Sequence, residues 1–417
     1  MNYTNYSDTG IEWLREIPSH WKKIRLRYLC DITTGCRDTI DREDDGQYPF
    51  FVRSKTIERI STFSYDGEAI LTAGDGDICK IWHHVNERFD FHQRVYMLYN
   101  FKNIHGRFLY YYISENFYHD VFKLSAKNTV DSLRLPMFLN FPVAVPPLDE
   151  QLKIAQYLDY QTGLIDQLVQ QKERVIELLK EKREAVISEA VTKGVKRKAK
   201  MKASEVEWIG EVPEDWNLIR LKFLYRIKKE IAGELGHNVL SVTQKGIKIR
   251  DLDNLKGQLS MDYSKYQLVE KGDFIMNHMD LLTGFVDISK WNGVTSPDYR
   301  VFAKHDRNVF DPYYLYIFQF CYSRKIFFGL GQGVSQLGRW RMPAEQFNNF
   351  VVPFPDYDEQ ISIVKYLDNI VGSIDTVIQL QKDIIEKLQE YRQALITEVV
   401  TGKIDVRDWQ PSKKQVA

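Results

Sequence analysis

Apolar residues recur at steps of three and four along two stretches of the chain. Ile165, Leu168, Val175, Leu179 and Val186 make the first series, with Lys172 and Lys182 at the remaining steps. Ile374, Val377, Ile384, Leu388 and Leu395 make the second, with Gln381 and Tyr391 at the remaining steps. The spacing predicts a helix with a heptad seam in each stretch, and a polar residue, Lys172 or Gln381, sits at the same central step of both. Glu173, Arg174, Glu177, Asp383, Glu386 and Lys387 fill faces that want water. Alone, each helix exposes its seam, so the expected burial is of one helix against the other; two separate hairpins or a homodimer zipper are the alternatives. From Gly163 to Thr192, at ~1.5 Å per residue, the rod is roughly 45 Å long.

The two stretches are copies. Residues 149–192 and 358–401 align without a gap at a constant offset of 209, close to half of the positions are identical, and both open on Asp-Glu-Gln. The segments ahead of them are duplicated as well: 12–29 (EWLREIPSHWKKIRLRYL) matches 207–224 (EWIGEVPEDWNLIRLKFL) at an offset of 195. Pro18 and Pro213 each begin an ordered turn, with Trp21 and Trp216 as its anchor or as plain core. A repeat of this length means two equivalent structural units. The chain therefore divides into a globular part at 1–148, a helix and basic linker at 149–204, a second globular part at 205–357, and a distal helix and tail at 358–417. Between the duplicated motifs, from 207 to 358 against 12 to 149, the second part is 14 residues longer than the first, so the two differ in job as well as in length.

Both globular parts mix strands with helices. Residues 49–54, 69–72 and 94–98 are rich in aromatic and β-branched side chains and predict strands, with a glycine turn at 73–77. Residues 108–122 predict an aromatic helix. The second part repeats the plan with strands at 274–276 and 299–302. Asp311 is the expected N-cap, with Pro312 opening a helix at 313–328. The fold class is α+β, with two α+β domains separated by two long helices.

Composition narrows the function classes. The 57 basic and 57 acidic residues cancel, which weighs against a generic nucleic-acid binder but not against one with locally sorted charge. The linker does carry a local basic run, from Lys193 to Lys202, either a solvated tether or a phosphate or partner contact. No apolar run is long enough to span a bilayer, the N-terminal residues lack a signal-peptide layout, and the four cysteines form no C-x-x-C pair; a cytoplasmic, membrane-free protein is expected. The glycines at 74–76 and 329–333 do not make a Walker loop. His83, His84 and His92 lack companions for a metal site, and Asp75 and Asp77 sit on a glycine turn where carboxylates cap backbone amides. No nucleophile or amino-methyltransferase motif stands out, so a binding protein without an active site or cofactor of its own is expected.

The EWLREIPSHW and EWIGEVPEDW segments, the PPLDEQ entrance at 146–151 and the closing LITEVVTGKIDVR at 395–407 resemble the specificity subunit of type I restriction–modification systems. FDFHQRVYML (89–98) and GVTSPDYRVF (293–302) are similar in outline to that family's target-recognition domains. The second entrance departs from the pattern, reading PFPDYDEQ. The resemblance implies two target-recognition domains, each reading one half of a split double-stranded DNA site, held apart by the two long helices, which pair as an antiparallel coiled coil in pseudo-twofold symmetry and set the gap. It also implies docking of two modification (methyltransferase) subunits, which bind S-adenosylmethionine. ATP- and Mg-dependent restriction subunits, a translocase and nuclease, join them in defence against phage. All catalysis belongs to those partners. The alternative is a coiled-coil scaffold that never reads DNA.

Polar and basic side chains on loops beside strands are the candidate DNA contacts. In the first part they are Arg53, Lys55, Lys80, His92, Gln93, Arg94 and Asn128. In the second they are Gln244, Lys245, Lys248, Asn277, His278, Arg300, Gln336, Arg339 and Arg341, with the loop GVSQLGRWR (333–341) the best single candidate.

Overall fold

The computed structural model describes residues 3–123, 132–196, 199–251, 263–333 and 340–411. The chain forms two compact units, Met1–Glu173 with Lys382–Ala417, and Arg174–Gln381. Each unit thus takes one globular part and one portion of each long helix.

The long helices are Leu148–Lys193, 46 residues, and Tyr357–Val400, 44 residues. At ~1.5 Å per residue each is more than 60 Å long. Both exceed the predicted rod because the helix begins at the Asp-Glu-Gln entrance and runs through Gly163 and its counterpart Gly372 without a break. Asp149, Glu150, Asp358 and Glu359 lie in the first turns, where negative charge complements the helix dipole. Gly194 and Gly402, at φ +74° and +76°, follow the two ends as left-handed caps.

In the first unit the start of one helix meets the end of the other. Ile154, Leu158 and Ile165 share a core with Leu395, Ile396, Val399 and Val400, and Arg392 donates to Asp166 at 3.1 Å. In the second unit Ile187 and Val191 share a core with Ile363, Leu367 and Val371, and Arg183 donates to Asp375 at 2.9 Å. Both sets are antiparallel, as expected.

The buried stripe departs from the predicted seam. Ile165, Ile374 and Leu395 are buried, and Leu179, Val186, Ile384 and Leu388 are half-buried. Leu168, Val175 and Val377 are exposed at 43%, 40% and 40%. Val169 packs against the first core in place of Leu168, and Ile176 and Ile378 are buried in place of Val175 and Val377. Each helix offers two apolar stripes one residue apart, about 100° around the axis, and tertiary packing selects the second for this stretch.

The first globular part is built on a six-stranded sheet. Its order is Asp31–Thr34, Val95–Tyr99, Tyr65–Ala73, Trp82–Phe91, Tyr48–Phe51 and Glu58–Ile60. The aromatic helix Gly106–Lys123 packs against it and supplies the core residues Phe108, Tyr112 and Phe117. The second globular part has two four-stranded sheets. One runs Tyr225–Lys228, Arg300–Lys304, Phe274–Met276, Val286–Ile288; the other runs Gly246–Ile249, Val239–Thr243, Gly293–Thr295, Gln267–Val269. Its aromatic helix is Asp311–Ser323, with Phe310 and not Asp311 at the N-cap position and no side-chain cap bond. Asp311 instead accepts from Tyr225 at 3.0 Å and pairs with Lys304 at 2.9 Å, so its carboxylate is drawn to the sheet.

The duplicated motifs explain one another. Trp21 donates its indole N–H to Glu150 at 3.1 Å, and Trp216 does the same to Glu359 at 3.1 Å. Gln151 donates to Pro146 O and accepts from the His105 backbone; Gln360 donates to Pro355 O and accepts from the Phe310 backbone. The Asp-Glu-Gln entrance is therefore a clamp. Its glutamate holds the tryptophan turn, and its glutamine holds the loop that leads into the aromatic helix.

Candidate nucleic-acid interface

At one end of the first unit's sheet, the strand ends and the 73–77 turn gather most of the expected contact residues. Arg53 and Arg94 both reach Asp75, at 2.9 and 2.7 Å. Burial pushes the Asp75 carboxyl up, but hydrogen bonds from the two guanidiniums more than reverse this and hold it below its usual value. Asp75 is thus the hub of an ion-pair cluster, not an amide cap. Arg94 keeps 62% of its side chain exposed and Arg53 41%, so each can present further N–H groups outward.

His92 is a correction. It is 2% exposed, and its ring Nδ1 accepts the Arg94 backbone N–H at 2.9 Å. Burial and then the nearby Arg53 push its imidazole below the usual range, so it is a neutral brace of its own turn. Gln93 is exposed but already donates to Asp38 at 2.8 Å. Lys55 and Lys80 are exposed and line a recess of about 780 Å³. Arg392, Glu115, Tyr118 and Phe122 also line it, and none of these four was expected from the sequence. Burial pushes the Glu115 carboxyl up while Arg392 and Gln393 draw it back. Asn128 lies outside the described residues.

In the second unit, Gln244 and Lys245 occupy the hairpin turn between Val239–Thr243 and Gly246–Ile249, exposed, with Lys248 on the second strand. Gln244 donates to Thr283 O at 3.4 Å. Asn277 is half-buried, and its backbone carbonyl accepts the Tyr322 hydroxyl at 2.8 Å. His278 and Arg300 correct the expectation of loop residues, since each is only 5% exposed. Arg300 donates Nη2 to Met342 O at 2.8 Å and lies 4.9 Å above the Phe347 ring. Burial, then repulsion from Arg341, lowers its guanidinium to about 10. Burial, then Arg300, Arg341 and Lys229, lowers the His278 imidazole to about 3. Arg341 is exposed. Gln336 and Arg339 lie outside the described residues.

Some charges prove to be internal. Lys228, 6% exposed, sits between Glu270 at 2.8 Å and Asp273 at 2.9 Å. Among the described residues, no group of three His, Cys, Asp or Glu could hold a metal ion, and no helix is long and apolar enough to cross a membrane.

Comparisons with known proteins follow the same lines. Residues 18–178 match the type I restriction modification DNA specificity domain. The chain is 21% identical over 418 residues to the EcoDI type I restriction enzyme specificity subunit of Escherichia coli, covering 93% of this chain and 90% of that protein. It is 25% identical over 420 residues to the MjaVIII specificity subunit of Methanocaldococcus jannaschii, covering 94% and 95%. A solved structure from work on complex assembly and conformational transition of the type I R-M system shares the fold. Its TM-score is 0.67 at 13% identity, over 93% of this chain and 99% of that one. In sequence along nearly its whole length and in fold, the family this chain resembles is that of the type I restriction–modification specificity subunits.

Proposed function

We propose that the chain is a sequence-specific DNA-binding subunit in which each globular part reads one half of a bipartite double-stranded site. The long helices set the spacing and dock two modification subunits. Methyl transfer from S-adenosylmethionine, and any ATP- and Mg-dependent cleavage by restriction subunits, take place in those partners within the cytoplasm. The observation that carries this reading is a single fold unit used twice with the same helix clamp but different loops. The clamps repeat the same tryptophan–glutamate bond, Trp21–Glu150 and Trp216–Glu359, whereas the loop clusters around Arg53–Asp75–Arg94 and His278–Arg300–Arg341 share no side chain. Repetition in the frame with divergence at the tips fits two readers of unlike half-sites. Each reader can be individually weak, because tethering raises its effective concentration at the second half-site.

The test is to map methylated adenines in the source genome with this gene present and deleted. A gene-dependent motif of two unlike halves around a fixed gap supports the reading; a palindrome or no gene-dependent motif refutes it. The scaffold alternative draws on the zero net charge and on Asp75 neutralising part of the first cluster. It forecasts no bipartite footprint when the chain and its modification partner are placed on genomic DNA.

A further inference from the structure

The two units can be superimposed position by position through strand register. In the first, Tyr96 pairs with Thr72. In the second, Arg300 pairs with Met276. Two residues beyond those partners lie Gly74 and His278, and their carbonyls accept the backbone N–H of Leu133 at 2.7 Å and of Met342 at 2.9 Å. Tyr96 and Arg300 are therefore equivalent, as are Gly74 and His278, Asp75 and Met279, and Ser132 and Arg341.

Tyr96 and Arg300 do one structural task. Tyr96 donates its hydroxyl to Leu133 O at 3.4 Å and packs on Phe138 at 4.7 Å between ring centroids. Arg300 donates Nη2 to Met342 O at 2.8 Å and packs on Phe347 at 4.9 Å. A neutral ring suffices for that task in the first unit. The positive charge of Arg300 and its remaining N–H groups are additional. Nη1 of Arg300 and Nδ1 of His278 are buried and have no hydrogen-bond partner among the described residues. The acid that neutralises the first unit's cluster, Asp75, is replaced here by Met279. Arg341 stands where the first unit has Ser132. A buried cation without an acid or a full set of acceptors is costly, and such a group calls for an explanation in ligand binding.

We propose that His278, Arg300 and Arg341 form a seat for one phosphate group in the second unit, filled by a backbone phosphate of bound DNA, with no equivalent in the first unit. This rests on the DNA-reading function above. The guanidinium of Arg300 supplies the buried charge, Arg341 the exposed one, and the neutral ring of His278 a single N–H. A doubly or singly charged oxyanion satisfies all three, whereas an apolar ligand leaves them orphaned. The guanidinium is held by the Met342 carbonyl at 2.8 Å and lies 4.9 Å over the Phe347 ring, so its position is fixed before the phosphate arrives.

The test uses the full chain assembled with its modification subunits. Arg300→Tyr installs the residue that the first unit already accommodates, and Arg300→Gln is a second variant that can still donate to Met342 O. Binding to a pool of random-sequence duplexes is measured across a salt series, and melting is followed with inorganic phosphate against chloride at equal ionic strength. The expected result is a fall of about 0.9 in the slope of log affinity against log salt for both variants, the loss of one phosphate contact. Melting temperature in chloride should not fall for Arg300→Tyr, and phosphate should raise it for the wild type alone. An unchanged slope in both variants with no phosphate-specific rise in the wild-type melting temperature overturns the seat, as does a lowered melting temperature with unchanged binding and no such rise. Phosphate protection without any slope change overturns the DNA backbone as its source and leaves free phosphate. If the wild-type complex binds no duplex, the DNA-reading function fails, and the phosphate melting arm alone then decides whether the seat exists.

Discussion

Replacing Glu150 with alanine removes the acceptor at the centre of the first clamp. The carboxylate is 4% exposed and receives the Trp21 indole at 3.1 Å, His20 Nε2 at 2.9 Å, and the Tyr3 hydroxyl. His20 keeps 40% of its side chain exposed and turns to water when the carboxylate is lost. Trp21 and Tyr3 are each 5% exposed and cannot. Each orphaned buried donor costs about 1–3 kcal/mol, so losing the partner of both should destabilise the first unit by about 2–6 kcal/mol. Glu150→Gln keeps one acceptor oxygen and should lose about half as much. The matched change in the second unit, Glu359→Ala, strands only the Trp216 indole, because its other partner, Lys196, is 68% exposed. Its expected loss is about 1–3 kcal/mol. Urea unfolding followed by tryptophan fluorescence gives the magnitudes, and hydrogen exchange assigns each loss to its unit. A Glu150→Ala protein within about 1 kcal/mol of wild type, or a larger loss for Glu359→Ala, refutes the clamp as the basis for the repeated Asp-Glu-Gln.

Two pH dependences follow from the candidate interface. Asp75 has a depressed folded-state pKa, so its contribution to stability is present above its unfolded value and is lost as pH falls through the folded one. Asp75→Asn should therefore flatten acid destabilisation of the first unit below about pH 4, and free Arg53 and Arg94 to bind duplex DNA more tightly at low salt. Denaturation at stepped pH and a salt titration check both halves. His278 has the same sign of linkage in a higher pH window: its folded imidazole, near 3, binds a proton less readily than the unfolded one, so the second unit loses stability as pH drops from about 6.5 toward 3. His278→Gln should remove that slope, and in the wild type the ring resonances of His278 should not titrate between pH 5 and 8.

The tandem plan was legible because it is written in repeats: two helices, two tryptophan turns and two Asp-Glu-Gln entrances at fixed offsets. The details that escaped depend on pairings across space. The strand Trp82–Phe91 was missed because Asn86, Glu87 and Arg88 lie exposed in its middle and break the apolar run. The seam slipped by one because Leu168 and Val169 are equally apolar, and only the partner surface chooses between them. Lys228 reads as a surface lysine until Glu270 and Asp273, more than 40 residues on, close around it. Arg300 was singled out for its charge, but its burial and its lack of an acid partner among the described residues were invisible without its neighbours. Arg392 was overlooked because it sits on a helix that pattern alone assigns to pairing.

The first unit is completed by residues 382–417, whose Leu395, Ile396, Val399, Val400 and Val406 belong to its core. A ribosome therefore emits the first globular part, then the whole of the second unit, before it delivers the strip that seals the first. At about 5–20 residues per second that apolar flank waits roughly 10–40 seconds, while the middle of the chain can already close on itself. Maturation runs from the middle outward, and a premature stop codon shortly after residue 381 disables the amino-terminal half while sparing the part translated later.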